Sequence, residues 1–200
     1  MKVLQKRWAA VALAIPLLAA GPAKEQSDLE AQLAQLIGEG DEAADQDRAG
    51  APRPARTGWA QGELDGKTGK SCAMTFRDGM NAIGYIGPSS GWKKGYFFVS
   101  GPSVPFTSNP RIIRVALATD GDSDQTVKAV NYPAGSKNYA ILFELTDFTA
   151  ALDAMDDSEN IAVLEKDETA TNFGQSLFSG SWTGGHAARE ELRACLSAQK

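Results

Sequence analysis

The sequence predicts an α+β protein, mainly antiparallel β in a sandwich or curved sheet, with two short helices packed on it. Three observations lead there. From Trp59 onward, short runs of β-branched and aromatic residues recur between Gly, Pro, Asn and Asp. Few of the connections are long enough for the crossover helix that a parallel pair needs. Two late stretches change from an alternating to a helical period.

The expected strands lie near 59–64, 71–77, 80–87, 94–100, 111–119, 125–131, 138–145, 160–166 and 171–178. Asp78-Gly79 stands between the second and third, which is a strong local hairpin signal. Residues 111–130 repeat that grammar with a longer turn. Residues 139–145 are mostly apolar, so that strand is expected to be central. In "TDFTAALDAMDDSE", Thr146 is the expected N-cap, and Phe148, Leu152 and Met155 fall on one helical face. In "GGHAAREELRACLSAQK", Ala188, Leu192 and Cys195 share the same spacing. Cys195 therefore faces inward, toward the sheet expected to carry Cys72.

The chain divides into three parts. Residues 1–23 read as a signal peptide: Lys2, Lys6 and Arg7, then an apolar run from Ala9 to Ala20, then candidate cleavage positions at Ala20 and Ala23. The run is too short for a comfortable membrane span. Residues 24–58 are expected to lie outside the core. They hold a short amphipathic helix over 27–37 and a flexible linker, first acidic and then Pro/Arg/Ala-rich. Ser27 and Glu30 make a capping-box pattern, Leu29, Leu33, Leu36 and Ile37 share a face, and Gly38 and Gly40 end it. That helix either docks on the domain or serves self-association. Residues 59–200 are the β-rich domain.

Composition narrows the function classes. The formal charge is −5, and removing residues 1–23 takes it to −8. An acidic exported chain has no electrostatic footprint for nucleic acid. Cys72 and Cys195 are the only cysteines. Outside the reducing cytosol they are expected to form one disulfide, closing a loop of about 120 residues worth about 4–5 kcal/mol on a chain-entropy model.

Candidate sites are few. Asp120, Asp122 and Asp124 alternate as calcium ligands do, but Gln125 stands where the loop needs Gly and Asn131 where it needs a bidentate Glu. A polar hairpin tip accounts for them better. "GPSSG" at 87–91 fits G-x-S-x-G with Ser89 as nucleophile and His186 as base, although that motif needs a helix after the turn and a strand is expected there. His186 by itself makes no zinc site. Lys93 and Lys94 read as solvated, and Glu144 as a surface-facing position in an apolar strand. Trp59, Trp92 and Trp182 offer stacking faces; Trp92 and Trp182, beside glycine-rich corners, are the expected ligand-binding residues. No Walker loop, dinucleotide fingerprint or Cys-x-x-Cys is present, and no cofactor is expected.

"SCAMTFRDG", "VALATDG" and "SLFSGSWTGGHAAREELRACL" together resemble small secreted proteins of Gram-negative bacteria grouped with the invasion-associated locus B proteins. The resemblance covers roughly residues 59–197. It implies a periplasmic, β-rich, non-enzymatic domain with a structural disulfide. The expected function is thus an exported binding or interaction module whose partner is a cell-envelope protein or glycan. The rivals are a serine hydrolase using Ser89 and an envelope component associating through the 27–37 helix.

Overall fold

A computed structural model describes residues 23–42, 57–66, 69–89, 93–120, 125–134, 139–166 and 174–199. The segment expected to be a signal peptide, residues 1–23, lies outside the described residues but for Ala23, and so do residues 43–56 of the expected linker. So do Trp92, Asp122 and Asp124.

The described strands are β1 (Gly58–Gly66), β2 (Gly69–Asp78), β3 (Asn81–Ser89), β4 (Gly95–Ser100), β5 (Arg111–Thr119), β6 (Gln125–Pro133), β7 (Tyr139–Leu145), β8 (Glu159–Glu165) and β9 (Ser176–Trp182). They form one sheet in the order β1-β2-β3-β4-β7-β6-β5-β8-β9, and every neighbouring pair is antiparallel. The fold class is the expected one. Gly79 at the β2–β3 turn has φ +60°, the left-handed conformation that an Asp-Gly turn needs. The ninth strand runs later than expected, because the run continues through Gly180 to Trp182, which pairs with Glu159.

Two connections leave the neighbour-to-neighbour pattern. Residues 101–110 carry the chain from β4 to β5, past β7 and β6. Residues 146–158 carry it from β7 to β8, past β6 and β5, and include helix α2 (Phe148–Asp153). Each crosses three inter-strand steps, about 14 Å. The α2 cap is Asp147, not Thr146: the Asp147 carboxylate accepts from the Ala150 N–H at 2.9 Å.

The sheet curls until its edges meet. Asn81 Nδ2 donates to the Ser179 carbonyl at 3.2 Å, and Trp59 Nε1 donates to the Thr183 carbonyl at 2.7 Å. Inside the curl, Met74, Tyr85, Phe97, Val115, Phe143 and Val163 pack with Leu152 and Met155 and with Ala188 and Leu192 of helix α3 (Gly185–Ala198). Cys72 of β2 and Cys195 of α3 are bonded, with Cα atoms 6.0 Å apart and a sequence separation of 123. The bridge pins the last helix to an early strand.

The outer face of β1–β4, β7 and β6 carries a second apolar cluster, including Ile86, Tyr96, Phe98, Tyr132 and Leu142. Helix α1 (Ala23–Glu42) covers it. This corrects the expectation that residues 24–58 lie outside the core: Leu29, Leu33 and Ile37 are buried against the sheet, and Leu36 packs beside them. The helix starts before Ser27, through the good helix formers Lys24, Glu25 and Gln26, and runs past Gly38 and Gly40. Tertiary burial of one face outweighs the local stop signals. Of the two readings of this helix, docking on the domain is the one observed, and the leucine face that self-association would use is occupied within the chain. Polar anchors set the register of α1: Ser71 Oγ donates to Gln32 Oε1 at 2.9 Å, and Arg77 donates to the Leu36 carbonyl. Among the described residues, no helix is long and apolar enough to cross a membrane.

Candidate functional site

The β4–β5 crossover passes over the ends of β7 and β6, and both strands hold it. Buried Asn131 of β6 donates its amide to the Pro105 carbonyl at 2.9 Å. Val104 N–H returns to the Gly101 carbonyl at 3.1 Å, and the Thr107 hydroxyl donates to the Asn109 carbonyl. Val104 and Thr107 are buried. Pro102, Pro105 and Pro110 each remove a backbone freedom.

Between the two buried residues the chain turns one large apolar side chain outward. Phe106 is 70% exposed. Its ring meets Tyr139 edge-on, with centroids 5.2 Å apart and planes at 70°. Tyr139 in turn packs on the inner core, and its carbonyl accepts from Ser100 Oγ at 2.7 Å. Met80, also exposed, sits at the β2–β3 tip beside Gly79. Phe106 differs in being fixed at both flanks. A preorganised aromatic loses little conformational freedom when it is covered, which is the property of an interface anchor.

The residues singled out by sequence fall elsewhere. Trp182 is 1% exposed, its indole N–H donates to the Asp156 carbonyl at 3.1 Å, and its ring lies 6.1 Å from Trp59. It is a core residue that closes the sheet and offers no stacking face to a ligand. The glycines around it permit close packing instead: a Cβ at Gly185 would stand 2.9 Å from Trp182 Nε1. Trp59 is half-buried between Phe76 and Trp182. Trp92 lies outside the described residues.

Asp120 is committed to β8. Its carboxylate accepts from the Asn160 backbone N–H at 2.9 Å and from Asn160 Nδ2 at 3.0 and 2.8 Å. These bonds, the side-chain one first, hold its carboxyl below the ordinary 3.8. Among the described residues, no group of three or more His, Cys, Asp or Glu is placed to hold a metal ion.

Ser89 ends β3, and the next described element is β4, a strand where the motif calls for a helix. A Cβ added at Gly87 would meet Leu196 at 2.7 Å, which sets this part of β3 near the end of α3. His186 lies at the opposite end of that helix, about 15 Å along its axis from Leu196. The His186 backbone N–H donates to Asp157 at 3.1 Å. Glu144 is buried, not surface-facing, and Lys94, its side chain still 40% exposed, pairs with it at 2.6 Å; Lys93 is exposed as expected. Tyr85, buried beside Phe97 and Phe148, has its hydroxyl pushed to a higher pKa by burial and then by the Glu159 charge.

No family model, curated protein or solved structure matches this chain. Its chemistry therefore rests on its own geometry. The feature that sequence reasoning missed is the 101–110 crossover. The available signal was a lone aromatic among three prolines, GPSVPFTSNP. What carries this segment across the ends of β7 and β6 is the strand order, which no local pattern carries.

Proposed function

We propose that this chain is an exported binding module that engages a cell-envelope protein through Phe106, with no bond-making step assigned to any residue. One observation carries the reading: a large aromatic is held in solvent by a loop in which Val104 and Thr107, before and after it, are buried. Aromatic residues, Phe among them, are enriched in the cores of protein interfaces relative to the rest of the surface. The disulfide supports an oxidising compartment. Cleavage after Ala20 or Ala23 would leave every buried α1 side chain in the mature chain. The resemblance to invasion-associated locus B proteins points to the same kind of role.

The test places a photo-crosslinking phenylalanine analogue at 106, and separately at 80, in full-length protein expressed in its own cells. Position 106 should yield one discrete protein adduct, and position 80 should not. Phe106→Ala should lose co-purification of that adducted protein while its Tm stays within about 2 °C. Equal labelling from both positions, or no adduct from 106, would refute the reading.

A further inference from the structure

A cation stands beside the Phe106 loop. Arg111 opens β5 directly opposite Asn131 of β6, and Asn131 stands opposite Ile141 of β7. Side chains in such a row leave the same face of the sheet. Tyr139, whose ring Phe106 meets, lies two residues away along β7 on that face. From strand spacing and rise, the Arg111 and Tyr139 backbones are about 12 Å apart, the length of about four residues of an extended chain. Asn131 ties the two places together, since its amide holds the Pro105 carbonyl, one residue before Phe106.

Arg111 is exposed, and among the described residues its guanidinium has no hydrogen-bond or ion-pair partner. The buried Asn131 Oδ1 opposite it takes no donor among those residues either. The chain has 25 acidic residues among 200, yet none stands in 99–114, 128–134 or 139–143, the segments around Phe106 and Arg111. Glu165 of β8 is opposite Val115, four residues or about 13 Å along β5 from Arg111. The Arg111 donors are therefore left for a ligand, and Arg holds a carboxylate through two parallel bonds. Arg is also enriched with aromatics in interface cores. A protein with a net charge of −5 repels an acidic partner over most of its surface. A cation beside the aromatic admits such a partner in one orientation and opposes the others. We infer, on the role proposed for Phe106, that its partner is an acidic protein segment. An apolar pocket of that segment covers the ring, and an Asp or Glu side chain within about four residues of the pocket pairs with Arg111.

The test pans the full chain against a displayed library of random peptides, in parallel with Phe106→Ala and Arg111→Glu. Peptides that wild type retains and Phe106→Ala loses should carry Asp or Glu within about four residues of an aromatic or branched aliphatic residue. A synthetic peptide of that set should bind Arg111→Glu at least tenfold more weakly, with Arg111→Gln between the two. Lys128→Glu is the control for charge alone, because Lys128 is exposed on the other face of β6 and the change in net charge is the same. It should weaken the same peptide by no more than about twofold. The Tm of Arg111→Glu should stay within about 2 °C of wild type, since its side chain holds no other described group. Panning on Arg111→Glu should replace the acids by Lys or Arg. If no retained peptide depends on Phe106, the role of Phe106 falls and this inference with it. Peptides that depend on Phe106 but lack an acid, bind Arg111→Glu as well as wild type, or weaken equally with Lys128→Glu would leave Phe106 its role and overturn the acidic partner.

Discussion

The two crossovers solve one geometric problem in opposite ways. Each spans three strand spacings, and each brings one phenylalanine. The β7–β8 crossover coils into α2 and turns Phe148 inward, 9% exposed, against Tyr85 and over Gly95. The β4–β5 crossover stays irregular, satisfies its backbone through Asn131 and its own turns, and turns Phe106 outward. The first adds to the core. The second gives up the free energy of burying a ring, about 1.5–3 kcal/mol, and keeps that surface exposed. Two elements of equal span and opposite polarity show that the exposure of Phe106 is not forced by the crossover itself.

Substitutions along the two crossovers test this contrast. The largest effect is expected from Phe148→Ala, which should lower unfolding free energy by about 3–5 kcal/mol in urea titration. A loss under 1 kcal/mol would mean that α2 is a surface appendage. Gly95→Ala comes next, because the added Cβ would stand 2.0 Å from the Phe148 ring; a cost of about 1–3 kcal/mol is expected in the same titration. Asp147→Ala removes the α2 cap and should cost about 1 kcal/mol.

Asp120 pins the strand on which the α2 crossover lands, and its effect should depend on acidity. Its folded carboxyl is held below the ordinary value of 3.8. The contribution is therefore present above that value and is lost as pH falls through the lower folded one. Thermal melts of wild type and Asp120→Ala should differ by a small constant amount near neutrality and converge below about pH 4. A gap that widens in acid would reverse the assignment. The smallest effect is expected at Phe106, where Ala should change stability by no more than about 0.5 kcal/mol in urea titration. A larger loss would make Phe106 part of the fold rather than of a display surface.

Much of the architecture was legible because it is written in local periods. The alternating runs placed the strands within a few residues, Asp78-Gly79 marked its hairpin, and the spacing of Ala188, Leu192 and Cys195 aimed the last helix inward. The α1 helix was legible as a helix, but its burial was not. Its partner is a sheet face assembled from strands up to a hundred residues away. Trp182 misled for a related reason: glycine beside an aromatic reads the same whether it opens a recognition corner or lets a helix approach an indole.

By itself, the sequence determined the antiparallel β class, the inward face of each helix, and the pairing of its two cysteines, since these follow from period, turn chemistry and redox context. The tertiary structure alone decided which strands became neighbours. That order sent both crossovers over three strand spacings and placed α1 over an apolar face. The physical reason is range. Periodicity is set by residues a few positions apart, whereas strand order is set by the burial of both sheet faces at once.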